Sequence, residues 1–137
     1  MIMKNMLASY IYKLLCTKSF ELVNHNTSKF FDDYFEIFTN GSVDIRFSSS
    51  KSYSTIDVRI ASEEAKWYDL ALIIAYLLSE KDLSKAKKSE EYFEFFNCYF
   101  DQIIELFNEI NYSITQEKLD ELGSERARQL FPGIISQ

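Results

Sequence analysis

Residues 34–39 are rich in aromatic and β-branched side chains, and within the segments after them apolar and polar side chains alternate with a period of two. This alternation is typical of strands that bury one side and turn the other toward solvent. The first strand ends at Asn40-Gly41, a strong signal for a hairpin turn. The two alternating segments lie at 43–47 and 56–60, with a serine-rich turn at 48–52 between them. The pattern predicts three strands in an antiparallel meander.

Helical patterns flank this run of strands on both sides. The segment 67–78 is apolar almost all round, so we expect it to pack on the sheet as a central helix. Before the meander, residues 18–23 look extended and 24–28 have the composition of a polar loop. Four helices are predicted. The first three span 4–16, 62–78 with Ser62 as its cap, and 90–110 with Ser89 as its cap. The last starts at Thr115 as its cap, has a possible interruption at Gly123 and stops at Pro132-Gly133.

Separate groups of strands and helices are typical of an α+β domain, in which helices cover a small antiparallel sheet. A chain of 137 residues favours one domain over two. We therefore predict a single α+β domain over residues 1–137, with an antiparallel sheet of three to four strands packed against about four α-helices.

The charge balance and the apolar runs limit the partners and the compartment. Lys and Arg total 15 against 21 Asp and Glu, which gives a net charge of -6 and argues against a broad nucleic-acid surface. The longest strongly apolar run, 70–78, is about half of the roughly 20 residues that a membrane span needs. The N-terminus lacks the pattern of a signal peptide. We predict a cytoplasmic protein that binds neither nucleic acid nor a membrane.

Few residues are available for catalysis, a metal centre or a cofactor. His25 is the only histidine, and Cys16 and Cys98 match no Cys-x-x-Cys pattern, so we expect two buried, reduced thiols. The serines at 48–50 and Lys51 have no partner base, and the chain has only 3 Gly. We expect no enzyme, no cofactor and no metal site. The remaining enzymatic hypothesis is a site made of carboxylates alone, which tight binding of a divalent cation would favour.

Two groups of acidic residues are candidates for binding a partner. Asp32, Asp33 and Glu36 form an acidic cluster where the first strand begins, either as a solvated loop or as a recognition site for a basic partner. Asp44 and Asp57 are expected to share one face of the sheet with positively charged neighbours, namely Arg46 and Arg59. These charges either stabilise the sheet by a few tenths of a kcal/mol per cross-strand pair or form a flat binding surface.

Aromatic and charged residues around the central helix have two interpretations as well. Trp67 and Tyr68 are either core residues or anchors of an interface. Asp69 is expected to bond the free amide groups at the helix N-terminus. Arg126 and Arg128 are expected to pair with Glu121, Glu125 or helix carbonyls.

Short motifs in residues 20–78 and 119–133 resemble small bacterial immunity-type proteins encoded beside polymorphic toxins. The motifs are Ile45-Arg46-Phe47, Ile56-Asp57-Val58, Trp67-Tyr68-Asp69-Leu70 and Arg128-Gln129-Leu130-Phe131-Pro132-Gly133. The family pattern has a charged turn where this chain has the serine-rich turn at 48–52, which leaves that turn without an implied role.

The resemblance implies a small, acidic, cytoplasmic protein that neutralises a toxin, often a basic nuclease, by binding it. An acidic inhibitor is attracted rapidly to a basic toxin and pairs its charges there. The first functional hypothesis is therefore a non-catalytic inhibitor of one cognate toxin domain. Its predicted contact residues are Asp32, Asp33, Glu36, Asp44, Asp57, Trp67 and Tyr68. The alternative is an adaptor or regulatory module that self-associates, as a homodimer, through the long aromatic helix 90–110.

Overall fold

The structure is a computed structural model that describes residues 6–27, 34–50 and 53–135, with side chains within 11–24, 34–50 and 53–133. These residues form an α+β fold with five strands and six helical segments. The strands are β1 (Glu21–Thr27), β2 (Tyr34–Thr39), β3 (Val43–Ser50), β4 (Tyr53–Ile60) and β5 (Tyr68–Asp69). The helices are α1 (Met6–Thr17), α2 (Leu70–Leu78), α3 (Ser89–Cys98), α4 (Phe100–Leu106), α5 (Tyr112–Leu130) and α6 (Pro132–Ile135). The fold class is confirmed, with one strand and two short helical segments more than expected.

The sheet has the order β1-β2-β3-β4-β5, and every neighbouring pair is antiparallel. The predicted hairpin joins β2 to β3. There the side-chain oxygen of Asn40 accepts hydrogen bonds from the amides of Ser42 and Val43 at 2.9 and 2.8 Å. Gly41 has a φ of 94°, a conformation that favours glycine. The three-strand meander expected from the alternation is therefore confirmed and forms the middle of a larger sheet.

The two sides of the sheet differ in chemistry. The core face is buried against the helices and carries Phe38, Val43, Ile45, Phe47, Ile56 and Val58. Phe47 is the centre of its aromatic packing, with ring centroids 5.7 Å from both Phe38 and Phe96. The outer face is the opposite side and carries the alternate, charged positions of β3 and β4. The separation of apolar and charged residues onto opposite faces fixes the register, because a slip of one residue would exchange the two sets.

The long helix expected over 90–110 is instead two helices, α3 and α4. The backbone leaves helical geometry at Tyr99, where φ is -114° and ψ is 22°, and α4 ends at Leu106. Most of the predicted aromatic stripe is buried in the core, namely Tyr92, Phe93, Phe95, Phe96, Phe100, Ile103 and Phe107. The width of the stripe is explained by this packing, because residues of both helices are buried in the core.

The central helix begins eight residues later than its predicted start at Ser62. Tyr68 and Asp69 pair with Val58 and Asp57 of β4, so they extend the sheet as β5 and delay the helix to Leu70. Asp69 is the N-cap of α2, and its side chain accepts a hydrogen bond from the Ala71 amide at 3.0 Å. The predicted role of Asp69 at the helix N-terminus is confirmed.

Other boundaries differ for reasons of pairing and packing. β1 continues to Thr27 through the predicted polar loop, because β2 pairs with it along its length. α5 begins at Tyr112, whose amide bonds the Asn108 carbonyl, so Thr115 is a buried residue inside the helix and no cap. α5 also passes through Gly123 without a break.

Two further observations concern sequence expectations about the thiols and the membrane. Cys16 and Cys98 are free and exposed, so the expectation of buried thiols is wrong. Among the helices in the described ranges, none has the length and hydropathy that crossing a membrane requires.

Candidate functional site: the outer face and the Trp67 cleft

Two ion pairs of opposite orientation cross from β3 to β4 on the outer face. Arg46 is directly opposite Asp57, and its Nε and Nη2 donate to the same carboxylate oxygen at 3.2 and 3.0 Å. Asp44 is directly opposite Arg59, whose Nε donates to it at 2.9 Å. The Arg59 and Asp44 side chains are only 12% and 10% exposed. The prediction that these four residues share one face is confirmed, and their charges alternate along and across the strands.

Trp67 connects the two ion pairs. The guanidinium carbons of Arg46 and Arg59 lie 4.4 and 4.2 Å from the centroid of its ring. Trp67 immediately precedes β5, in which Tyr68 faces the core and Asp69 the outer face, so alternation directs Trp67 to the outer face as well. Each cation–π contact stabilises the arrangement by about 0.5–1 kcal/mol. The half-buried indole and both arginines therefore hold one another in place.

A third ion pair joins the sheet to α5. Arg126 donates from Nη1 to Asp69 at 2.9 Å, across 57 residues of sequence. The expectation that Arg126 pairs within its own helix is wrong, whereas Arg128 does pair with Glu125 at 3.0 Å. Asp69 is the cross-strand partner of Asp57, so two carboxylates lie side by side between two arginines.

Burial changes the proton affinity of Asp57. Desolvation raises the pKa of its carboxyl group and outweighs the lowering by the hydrogen bonds and charge of Arg46. The negative charge of Asp69 raises the pKa of Asp57 further. The shift shows that Arg46 only partly compensates the removal of this carboxylate from water.

A third carboxylate, Asp120 of α5, lies beside these groups. It accepts a hydrogen bond from the buried Tyr68 hydroxyl at 2.9 Å and one from Lys66 Nζ at 3.0 Å. Desolvation raises the pKa of Asp120, but the bonds from Lys66 and Tyr68 outweigh it and leave the pKa below its usual range. Desolvation and the Asp120 carboxylate raise the pKa of the Tyr68 hydroxyl group. Tyr68 therefore keeps its proton and remains a hydrogen-bond donor at neutral pH.

These groups surround a cleft of about 500 Å³ between the β5 edge of the sheet and α5, here called the Trp67 cleft. The lining residues are Arg46, Asp57, Lys66, Trp67, Tyr68, Asp69, Leu72, Asp120, Gly123, Ser124, Arg126 and Ala127. At Gly123, α5 lies close to α2, and a Cβ atom there would make an ordinary van der Waals contact of 3.7 Å with the Leu72 side chain. The lining has three carboxylates and three cations, so its charge is balanced and each carboxylate has a cationic partner.

The geometry brings together only part of the predicted contact set. Asp44, Asp57 and Trp67 lie on the outer face, and Tyr68 reaches the Trp67 cleft through its hydroxyl group. Glu36 lies instead on the side of the core face, directly opposite Phe47, and is 2% exposed. Asp32 and Asp33 lie outside the described residues.

Glu36 is an unusual core residue. The Tyr34 hydroxyl donates to its Oε2 at 3.2 Å, while its Oε1 is buried without a hydrogen-bond partner in the described structure. Desolvation and the nearby Glu36 charge raise the pKa of Tyr12 on α1. A buried carboxylate oxygen without a partner costs free energy of folding, on the order of 1–3 kcal/mol.

The arrangement is suited to recognition by fixed charges. Within the described ranges, no group of three or more His, Cys, Asp or Glu side chains is placed to hold a metal ion. Sequence reasoning missed Lys66, Asp120 and Arg126 as members of the site. Their partners lie more than 50 residues away, and no local pattern signals such contacts. Comparisons with protein-family models, curated proteins and solved structures yield no significant match.

Proposed function

We propose that this protein is a cytoplasmic, immunity-type inhibitor that binds and neutralises a cognate toxin domain through its outer face, without chemistry of its own. The observation that carries the proposal is the pair of arginines held against Trp67 on the outer face, beside the Trp67 cleft. Trp and Arg are the residue types that most often dominate binding energy at interfaces.

The rigidity of this face supports a role in binding. Arg46, Arg59 and Trp67 are already fixed by ion pairs and ring contacts, so little side-chain entropy remains to be lost on association. Among the described residues, Arg59 makes one hydrogen bond, from Nε, and its Nη groups are left to donate to a partner. Such planar donor groups match carboxylates and backbone carbonyls.

The distribution of the acidic residues supports a basic partner. The charges of the outer face compensate one another, so long-range attraction comes from carboxylates elsewhere on the surface. Glu105, Glu109 and Glu117 are exposed and have no ion pair within the described residues. With a net charge of -6, they would accelerate encounter with a basic toxin such as a nuclease. The resemblance to immunity-type proteins points to the same class of partner.

The two other hypotheses have less support. Most of the apolar residues that suggested self-association through 90–110 are buried in the core, with Ile110 as the exception, which reduces the surplus apolar surface behind that hypothesis. An enzyme that uses carboxylates alone has one observation in its favour, the adjacent Asp57 and Asp69 in a cleft, with the pKa of Asp57 raised. Calorimetry with Mg²⁺ and Ca²⁺ tests it, and tight binding that Asp57→Asn abolishes would favour it.

Co-expression with the product of the adjacent upstream gene tests the proposed function. We expect a stable complex, a partner that is toxic alone, and growth rescue by this protein. Exchanging the charges of one outer-face pair, in the double variant Arg46→Asp/Asp57→Arg, keeps a cross-strand ion pair but reverses its pattern. We expect its Kd for the partner to rise at least tenfold.

A second exchange serves as the matched control. Glu125→Arg/Arg128→Glu reverses an exposed ion pair on α5, and we expect it to change the Kd less than twofold. Circular dichroism would establish that both double variants are folded. A harmless neighbour that forms no complex would contradict the inhibitor function, and equal effects of the two exchanges would contradict the outer face as its site.

A further inference from the structure

The turn between α4 and α5, together with the first turn of α5, carries the two most exposed large apolar side chains of the described residues. Ile110 is 87% exposed and Ile114 is 58% exposed. Both belong to a short stretch around the start of α5, and we call them the Ile110–Ile114 patch. Aliphatic side chains concentrated at one place on a surface are typical of a contact site for another protein.

The turn that presents the patch is held by hydrogen bonds. The Asn111 amide donates to the Asn108 side chain at 2.8 Å, and the Asn111 side chain donates to the Glu105 carbonyl at 3.0 Å. The Tyr112 amide donates to the Asn108 carbonyl at 2.9 Å. Ile110 is therefore presented on a fixed backbone, which lowers the entropy cost of inserting it into a partner.

A groove of about 830 Å³ lies beside the patch. It separates the turn from the β2–β3 hairpin at Gly41 and from the end of β4 at Ile60. Phe107 and Tyr112 give it an aromatic wall, and Glu109 is the only charged residue in its lining. The groove thus lacks the compensating cations that balance the Trp67 cleft.

The surroundings of the patch are acidic and uncompensated. Glu105, Glu109 and Glu117 are exposed, and none of them forms an ion pair with a described residue. The single base in the segment 105–121 is Lys118, which lies 3.8 Å from Glu121. An apolar centre with an acidic rim fits a partner that has an apolar hollow within a rim of lysine and arginine.

We propose that the Ile110–Ile114 patch and its glutamate rim dock a basic protein surface, with Ile110 inserted into an apolar hollow. A second copy of this chain is the poorer occupant, because a symmetric contact would bring the same uncompensated glutamates together. The inference rests on the proposed function, since the occupant is the same toxin domain. Ile60, which lines the groove, follows Arg59 in β4 but belongs to the core-face set with its partner Val43, so the patch is a second contact surface, separate from the outer face.

Ile110→Ser tests the apolar part of the docking surface. Its affinity for the co-purified upstream gene product, measured by calorimetry, should fall about tenfold or more, because burying one isoleucine contributes at least that factor. Leu130→Ser is the matched control. Leu130 is 46% exposed at the opposite end of α5, and we expect its substitution to leave the Kd within twofold of wild type.

The glutamate rim is tested by the salt dependence of binding. Glu105→Gln/Glu109→Gln/Glu117→Gln should slow association and flatten its dependence on ionic strength. The control variant Glu21→Gln/Glu90→Gln/Glu94→Gln removes three exposed charges elsewhere and should have a clearly smaller effect on both.

The possible results separate this inference from the proposed function. If wild-type protein forms no complex, both fall together. If a complex forms and Ile110→Ser binds as tightly as Leu130→Ser, the docking surface is wrong and the inhibitor function stands. Sedimentation velocity tests whether a second copy of the chain binds the patch. If wild-type protein is a dimer, and Ile110→Ser dissociates it without changing the affinity for the partner, the patch binds a second copy and the inference is overturned.

Discussion

Asp69 performs two functions in the fold that substitutions can separate. One carboxylate oxygen caps α2 at the Ala71 amide, and the other accepts the Arg126 hydrogen bond. Loss of an N-cap costs about 1 kcal/mol. The Asp69 and Arg126 side chains are 31% and 30% exposed, so solvent screening limits their ion pair to about 1 kcal/mol. Removing the charge also relieves repulsion with Asp57, which we take as about 0.5 kcal/mol.

Asp69→Ala therefore should lower the free energy of unfolding by about 1.5 kcal/mol. Asp69→Ser removes the same charge but keeps a capping oxygen, so its loss should be about 0.5 kcal/mol. Urea denaturation followed by circular dichroism measures both values, and the slope with urea should stay constant. Equal stabilities of the two variants would refute the capping role, and wild-type stability in both would refute the ion pair as well.

Three further predictions concern single side chains. The raised pKa of Asp57 means that its charged form opposes folding. As the pH rises from 3.8 through the raised pKa, wild-type protein should therefore lose stability relative to Asp57→Asn. A stability difference that is independent of pH in urea denaturation would contradict this prediction. Tyr68→Phe should cost about 1 kcal/mol of stability. It should also raise the pKa of Asp120, measured by NMR titration, because Asp120 loses one of the two hydrogen bonds that lower its pKa. An unchanged pKa of Asp120 would exclude the hydrogen bond. Glu36→Met should raise the free energy of unfolding by about 1 kcal/mol, since it removes a buried oxygen that has no hydrogen-bond partner in the described structure. If urea denaturation instead shows a free energy of unfolding lower by a similar amount, the carboxylate has a stabilising partner and the reasoning is wrong.

Alternation of apolar and polar residues was sufficient to predict the centre of the sheet. Period two over 43–47 and 56–60 placed Ile45 and Val58 on one face and the four charged partners on the other. The same logic predicted that Asp44 and Asp57 share a face with arginines, because antiparallel neighbours joined by a short turn have few possible registers.

The edges of the sheet could not be predicted from local patterns. β1 contains Asn24, His25 and Asn26, whose polar composition predicted a loop. β1 is an edge strand, which is held by backbone pairing to one neighbour, so a polar sequence can still form it. β5 has two residues, too few for any periodicity, and its pairing with β4 moves the start of α2 from Ser62 to Leu70.

The candidate site was only partly accessible to sequence reasoning for a similar reason. Trp67, Asp57 and Asp44 were identified as candidates, but the stacking of two arginines on one indole depends on how β5 joins the sheet. The contacts of Arg126 and Lys66 depend on where α5 crosses the sheet edge, which no local signal encodes. Glu36 is a candidate that the structure does not support. Its charge predicted contact with a partner, but its side chain is buried on the core side of the sheet.

Trp67 is the only tryptophan in the chain, so its solvent contact can be followed in isolation by hydroxyl-radical footprinting and mass spectrometry. The central claim is that the outer face is covered by the partner, the product of the adjacent gene. The account predicts that oxidation of Trp67 falls several-fold in the complex, while oxidation of the exposed Phe131 is unchanged. Oxidation of Trp67 at the same rate in the free and bound protein would contradict it.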